Sequence, residues 1–244
     1  MQCVILAGGL GTRMAHVTGT GPKALIPVRG IPFAAYQLEH LAREGITRVV
    51  YSIGHHGELI RDFAGDGSAW GLSVQYLEDG PQLLGTAGAL RKGLREGLVD
   101  SSFLVMYGDS FLPIRFAPVV RAFERSKLPA LITVYRNEDN WDRSNVVYEQ
   151  GIVRLYDKRS ERRAPGMLHI EYGLSVLTAG ALEEGALSGV SPADLADVFH
   201  ALSVRGRLAA HEVTQRFYEI GSPGGLEDLE RYLLAEPRSP TRLG

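Results

Sequence analysis

The sequence predicts an α/β fold: a doubly wound sheet, mixed but mostly parallel, carried by a single domain with a small β-rich extension. Three observations predict it. Short β-branched runs alternate with segments of helical spacing from Gln2 to Tyr135. The 244 residues, 45% hydrophobic and 22% charged, suit one such domain. After Tyr135 the rhythm changes to two alternating runs, Asn145–Glu149 and Ile152–Tyr156, around the turn signal Gln150-Gly151.

The elements follow in order. Gln2–Leu6 reads as the first strand, and its apolar run Cys3-Val4-Ile5 leads directly into Leu6-Ala7-Gly8-Gly9-Leu10-Gly11-Thr12-Arg13-Met14. Pro32–Glu44 reads as a helix, because Phe33, Tyr36, Leu38 and Leu41 recur near helical spacing and Gly45 stops it. Arg48–Ile53 is a strand, with a helix over Gly57–Phe63. Leu72–Leu77 is a strand and Thr86–Gly97 a helix. Phe103–Tyr107 is a buried strand that ends at Gly108-Asp109, followed by a helix over Arg115–Ser126 and a strand over Ala130–Tyr135. Beyond the hairpin, Leu168–Leu177 is a further strand. Ser191-Pro192 opens a helix running to Leu202, with serine as N-cap and proline at the first helical position. Arg207–Val213 is a late strand and Gly224–Leu234 the last helix. No linker divides residues 1–235, and residues 236–244, with Pro, Arg and Ser, read as a flexible tail.

Bulk properties narrow the function. A net charge of -2 gives no electrostatic reason for nucleic acid or an anionic membrane as partner. The one cysteine, Cys3, rules out an internal disulfide and reads as a small buried apolar residue. No signal-peptide pattern and no apolar run of about 18 residues is present, so the expectation is a cytoplasmic protein. His55-His56 has no third ligand nearby in sequence and reads as loop.

The glycine-rich stretch after the first strand suggests a phosphate loop, and three templates fail on it. The dinucleotide fingerprint lacks its third glycine, since Met14 stands there, and lacks the acid about 20 residues further on. The Walker loop fails because Pro22 precedes Lys23 and Ala24 follows it. A kinase glycine loop lies in a hairpin, which is not predicted here.

A fourth template fits. Leu6-Ala7-Gly8-Gly9-Leu10-Gly11-Thr12-Arg13 followed by Pro22-Lys23-Ala24-Leu25-Ile26-Pro27-Val28 resembles the signature of the sugar-1-phosphate nucleotidyltransferases. Gly85-Thr86-Ala87-Gly88-Ala89-Leu90 resembles the family's G-T-A-G-A-L segment, and Tyr107-Gly108-Asp109 its G-D metal site. Tyr156-Asp157-Lys158 resembles F-x-E-K, and Ile220-Gly221-Ser222-Pro223 resembles D-I-G-T-P. These matches keep the family order from Leu6 to Pro223. Short members such as the heptose-1-phosphate guanylyltransferases and N-acetylmuramate-1-phosphate uridylyltransferases look most similar; the hexapeptide repeat of longer members is absent. The resemblance implies a Rossmann-like, GT-A-like nucleotidyltransferase fold, with residues 1–135 mainly on the nucleotide and 136–235 mainly on the sugar phosphate.

The implied reaction is attack of a sugar phosphate oxygen on the α-phosphorus of a nucleoside triphosphate, with pyrophosphate leaving. The attacking group is already anionic, so positioning and charge neutralisation carry the catalysis. Gly8, Gly9 and Gly11 let the backbone approach the triphosphate, beside Leu6, Ala7 and Thr12. Arg13 grips pyrophosphate oxygens with its planar fork, and Lys23 neutralises charge at the α-phosphate or the attacking phosphate. Asp109, at a strand's carboxyl end, and Glu219 are the expected Mg²⁺ ligands. Glu219 departs from the family aspartate by one methylene. The base pocket is expected at Leu6–Gly8, Glu78, Gly85 and Thr86, with Glu78 either accepting from guanine N–H groups or an exposed loop acid. Asn145, Lys158, Glu171 and Gly173 are the sugar-phosphate residues; Glu171 stands where the family has asparagine and cannot donate while ionised. Trp141-Asp142-Arg143-Ser144 resembles a loop of the heptose branch and either covers the sugar or is a plain surface loop. The reading leans to GTP and heptose 1-phosphate. UTP with a simple or N-acetylated hexose 1-phosphate, a cytidylyltransferase, and a non-catalytic nucleotide-sugar-binding regulator remain open, as does monomer or homodimer.

Overall fold

A computed structural model of the chain describes residues 1–9, 21–80, 84–159, 164–185 and 192–235. Two compact units emerge. One comprises Met1–Leu83, Met106–Pro113 and Phe217–Gly244, and the other Leu84–Val105 and Ile114–Arg216.

The first unit opens with β1 (Gln2–Ala7), whose Cys3, Val4 and Ile5 are fully buried. Apolar side chains at successive positions demand cover on both faces, the mark of a central parallel strand. Burial pushes the Cys3 thiol up to about 12, so it behaves as the apolar residue expected. A tight hairpin follows, β2 (Pro27–Val28) and β3 (Ile31–Pro32), around Arg29 and Gly30, both with positive φ. Helix α1 (Phe33–Arg43) buries eight residues, and its first N–H is satisfied by the Ile26 carbonyl rather than a side-chain cap. Strands β4 (Arg48–Ile53) and β5 (Ser73–Glu78) flank helix α2 (Gly57–Ala64). All three long strands run parallel in the order β5-β4-β1, with Cys3 opposite Val49 and Arg48 opposite Ser73.

The second unit starts with α3 (Thr86–Arg95), and β6 (Ser102–Tyr107) straddles the division. The following β7 (Ser110–Phe111) belongs to the first unit. Then come α4 (Phe116–Ser126), β8 (Ala130–Arg136), β9 (Val146–Glu149), β10 (Ile152–Tyr156) and β11 (His169–Thr178). Helices α5 (Ala179–Glu184) and α6 (Leu195–Val204) lead to β12 (Leu208–Val213). The strand order is β11-β8-β12-β10-β9, with β8 and β12 parallel and the other pairs antiparallel. The hairpin turn expected at Gln150-Gly151 is present, both residues at positive φ.

Two local features depart from simple periodicity. In β11 the register against β8 shifts between Glu171 and Ser175. Gly173 sits there at φ +110, a conformation side-chain-bearing residues rarely adopt. The buried Thr133 hydroxyl donates to the Leu174 carbonyl at 2.7 Å and accepts from its N–H at 3.3 Å, replacing ladder bonds that the bulge removes. The second departure corrects the expected helix start at Ser191-Pro192. Ser191 lies outside the described residues, and α6 begins at Leu195, with the Asp194 carboxylate accepting from the Ala196 N–H at 3.0 Å. The Ala193 carbonyl is meanwhile held by the Ala87 N–H at 3.0 Å, a tertiary contact that fixes where the helix can start.

The chain returns to the first unit through β13 (Tyr218–Glu219), which pairs antiparallel with β7, and α7 (Pro223–Ala235). Leu229 and Leu233 of α7 pack with Ile26, Val28, Phe33, Tyr36, Phe111 and Ile220 into one apolar cluster. That cluster joins segments far apart in sequence and so sets where the residues around positions 23, 109 and 219 meet. No helix among the described residues is long and apolar enough to cross a membrane.

Candidate active site

Three charged side chains of the first unit converge. Lys23 lies on a 3-10 turn, Lys23–Leu25, held in place by the buried Ala24. Its ammonium is 3.3 Å from Asp109 Oδ2, with only 17% of the lysine side chain exposed. Asp109 occupies the tight turn between β6 and β7. The Asp109 carbonyl accepts from the Ile220 N–H at 3.0 Å, and Glu219 sits opposite Ser110 in the β7–β13 pair. The short antiparallel ladder thus brings Glu219 beside Asp109 although 110 positions separate them in the chain. Gln37, buried on α1, donates from Nε2 to the Tyr107 carbonyl at 3.0 Å and the Ser110 carbonyl at 2.8 Å, clamping the turn that carries Asp109. Gln37 is absent from the sequence-based site. The available signal was a polar residue within the apolar run Tyr36-Gln37-Leu38.

Glu219 folds back on its own loop. Its Oε2 accepts from the Gly221 N–H at 2.5 Å and its Oε1 from the Ser222 hydroxyl at 2.5 Å. Ser222 Oγ in turn accepts from the Gly225 N–H at 3.1 Å at the start of α7. Gly221 is the hub. A Cβ on it would lie 2.6 Å from Glu219 Oε2 and 3.5 Å from both Asp109 Oδ2 and Lys23 Nζ. Two carboxylates and an ammonium therefore surround a bare Cα. Among the described residues no group of three or more His, Cys, Asp or Glu stands together as a metal cage, and His55-His56 forms none. Two carboxylates without histidine or thiolate suit a hard cation that takes its remaining oxygens from water and phosphate.

The glycine loop is described up to Gly9; Gly11, Thr12 and Arg13 lie outside the described residues. Leu6 and Ala7 close β1, and a Cβ on Gly54, at the end of β4, would lie 2.7 Å from the Gly8 carbonyl. No atom of the described residues lies within 4 Å of where a Cβ on Gly9 would be. Glu78 is 63% exposed, with its Oε1 2.5 Å from an Arg61 nitrogen. The next residue, Asp79, is the acid against the loop: its Oδ2 lies 3.0 Å from where a Gly8 Cβ would be. Side chains of successive residues along an extended segment point to opposite sides, which is why the two neighbours differ.

In the second unit, Gly85 at φ +76 precedes α3, whose first residue, Thr86, ties it to the start of α6. The Thr86 hydroxyl donates to Asp194 Oδ1 at 2.9 Å and accepts from the Leu195 N–H at 2.8 Å. Asn145 Oδ1 accepts from the Glu171 N–H at 3.0 Å, so these two sugar-side residues are joined. Glu171 is 8% exposed and its Oε1 is buried with no hydrogen-bond partner among the described residues. Burial raises its pKa; the nearby Lys158 charge and the Gly173 N–H oppose that rise. Asn145, Lys158, Glu171 and Gly173 thus form one neighbourhood. Beside it, the Arg216 guanidinium lies over the Trp141 ring, Cζ 3.4 Å from the centroid, and the Tyr172 hydroxyl donates to the Arg216 carbonyl at 3.4 Å. Arg216 is likewise missing from the sequence-based site.

Comparison with known proteins bears on this arrangement. The nucleotidyl transferase family profile matches residues 2–158. The low-salt glycan biosynthesis nucleotidyltransferase Agl11 of Haloferax volcanii is 29% identical over 241 residues, 97% of this chain and 67% of that protein. The D-glycero-alpha-D-manno-heptose 1-phosphate guanylyltransferase of Campylobacter jejuni is 29% identical over 188 residues, 77% of this chain and 80% of that one. A Bacillus anthracis structure described as a glucose-1-phosphate thymidylyltransferase superposes with a TM-score of 0.82 at 22% identity, covering 99% of this chain and 98% of that one.

Proposed function

The chain belongs to the nucleotidyl transferase family, and from that premise we propose that it joins a nucleoside triphosphate to a sugar 1-phosphate, releasing pyrophosphate. The observation that carries this reading is the convergence of Lys23, Asp109 and Glu219 around Gly221. In the reaction a sugar phosphate oxygen forms a bond to the α-phosphorus, the bond from that phosphorus to the bridging oxygen breaks, and the electron pair leaves on pyrophosphate. Lys23 neutralises the approaching phosphates, which otherwise repel one another. Arg13 holds the departing pyrophosphate. Asp109 and Glu219 would hold Mg²⁺, which when bound supplies charge neutralisation to phosphate oxygens. Lys158 meets the sugar phosphate, while Asn145, Glu171 and the bulge at Gly173 face the sugar hydroxyls.

GTP is the preferred triphosphate in this reading. The carboxylate beside the glycine loop, Asp79, accepts from the two N–H donors that only guanine presents together. Heptose 1-phosphate is the preferred sugar; the Campylobacter jejuni relative, named for that substrate, supports it. The cytoplasm is the proposed location, where the triphosphate is made.

Pyrophosphate release measured for four nucleoside triphosphates crossed with a dozen sugar 1-phosphates tests the whole reading. The highest kcat/KM is expected for GTP with heptose 1-phosphate. Release led by another base would overturn the guanine assignment alone. No release from any pair, with nucleotide sugar still bound, would turn the reading to a binding protein.

A further inference from the structure

The second unit contains a groove of about 500 Å³ that no residue assigned above to nucleotide or sugar phosphate lines. Its origin is in the sheet. Strand β10 pairs with β12 at Ile152 and Ala209, the Ala210 N–H donates to the Gly151 carbonyl at 2.7 Å, and the register goes no further. The β9–β10 hairpin and β12 then diverge, and the last turn of α4 forms the facing wall. Small side chains, Ala122, Ala209 and Ala210, leave the interior unfilled. A volume of this size lies within the usual span of about 300–1,000 Å³ for ligand sites.

The groove lining carries one formal cation, Arg125, and one formal anion, Glu212. Arg125, exposed at its mouth, has no hydrogen bond or ion pair among the described residues, and neither has the half-buried His211. Glu212, the acid in the lining, turns its Oε1 to His169 Nε2 at 2.9 Å. Tyr148 packs edge-on against that same His169 ring, 5.1 Å between centroids. Thr133 is the residue opposite His211 on β8, and its hydroxyl is committed to the β11 bulge. Arg125, from α4, and His211, from β12, thus line the same groove, with Glu212 next to His211 on its own strand. Burial and the Arg125 charge both hold the imidazole below its ordinary pKa. An anion seated between the two groups removes the second of these effects.

We propose that this groove binds a small organic phosphate, held by the Arg125 guanidinium and the His211 imidazole. A planar guanidinium donates two parallel hydrogen bonds to phosphate oxygens, and the alanine floor accommodates the carbon skeleton that the phosphate carries.

The test is an NMR titration of His211, identified by the resonance missing in His211→Asn. The probes are glucose 6-phosphate, inorganic phosphate and glucose. The expected result is a saturable rise in the His211 pKa with glucose 6-phosphate. A weaker rise is expected with inorganic phosphate and none with glucose. Equal affinity for the two phosphates would overturn the organic part of the proposal and leave an anion site. Arg125→Ala should abolish the rise and Arg125→Lys restore part of it, with pyrophosphate release at saturating substrates unchanged in both. Calorimetry should show glucose 6-phosphate binding weakened at least about tenfold in His211→Asn, the loss of one charge-assisted contact. No saturable change in the wild type, or the same rise in Arg125→Ala, sinks the proposal.

Discussion

Gly221→Ala puts a methyl group at the point where the proposed site converges. The new Cβ would lie 2.6 Å from Glu219 Oε2, a distance at which one of the two must move, and 3.5 Å from Asp109 Oδ2 and Lys23 Nζ, which is ordinary contact. Gly221 has no positive φ, so its backbone accepts alanine. The unfolded chain is stiffened, which favours folding by about 0.4–1 kcal/mol. Against this stands the displaced Glu219 carboxylate, which loses a charged hydrogen bond from the Gly221 N–H worth about 1.5–3 kcal/mol. The net loss is about 1–2 kcal/mol, or roughly 2–8 °C in Tm for a chain of this size, and the protein stays folded. Catalysis should suffer more. Moving a group that positions the reacting phosphates by up to ~1 Å costs on the order of 100-fold in rate. Pyrophosphate release at saturating Mg²⁺, GTP and sugar 1-phosphate, with calorimetric melting alongside, reads both effects. Shortening the side chain in the double variant Gly221→Ala/Glu219→Asp draws the carboxylate back from the methyl and should recover roughly tenfold of the loss by relieving the contact. Wild-type kcat/KM in folded Gly221→Ala would refute the convergence as the reaction site.

Further outcomes are expected. Asp109→Asn keeps the fold and binds triphosphate in the absence of metal, but turnover falls by on the order of 100-fold or more; wild-type rates would clear Asp109. Glu219→Ala raises the Mg²⁺ concentration needed for half-maximal activity, whereas Glu219→Asp does not; superimposable Mg²⁺ titrations for the alanine variant and wild type would remove Glu219 from the metal. Thr133→Val strands the Leu174 N–H and carbonyl at the bulge and lowers stability by about 1–3 kcal/mol in urea melts; an unchanged midpoint would mean the bulge needs no hydroxyl. Burial, opposed by Lys158, raises the Glu171 pKa in the folded state. Between the ordinary glutamate value and the raised one, the folded protein keeps a proton that the unfolded chain has released, so stability falls as pH climbs through that interval. Glu171→Gln removes this slope; a wild-type pH profile in the variant, from urea melts over that interval, would show that another group supplies it.

The sequence by itself determined the element order, because alternation of two against 3.6 residues decides between strand and helix locally. It also supplied Lys23, Asp109 and Glu219 as chemically suited residues, because positional order of short motifs survives without any knowledge of contacts. It missed β2–β3, β7, β13 and α5, which are too short to show a period of their own. It misplaced the start of α6, since serine and proline make a good local cap but the helix follows Asp194 and the tertiary contacts of Thr86 and Ala193. Only the tertiary structure decided that Asp79 rather than Glu78 lies against Gly8, because one residue of strand register reverses the side a carboxylate faces. Only it showed Gln37 gripping the Asp109 turn and the Glu219 side chain bent onto Gly221 and Ser222. These are contacts between residues distant along the chain, or choices among rotamers, and both are set by packing that a one-dimensional pattern does not record.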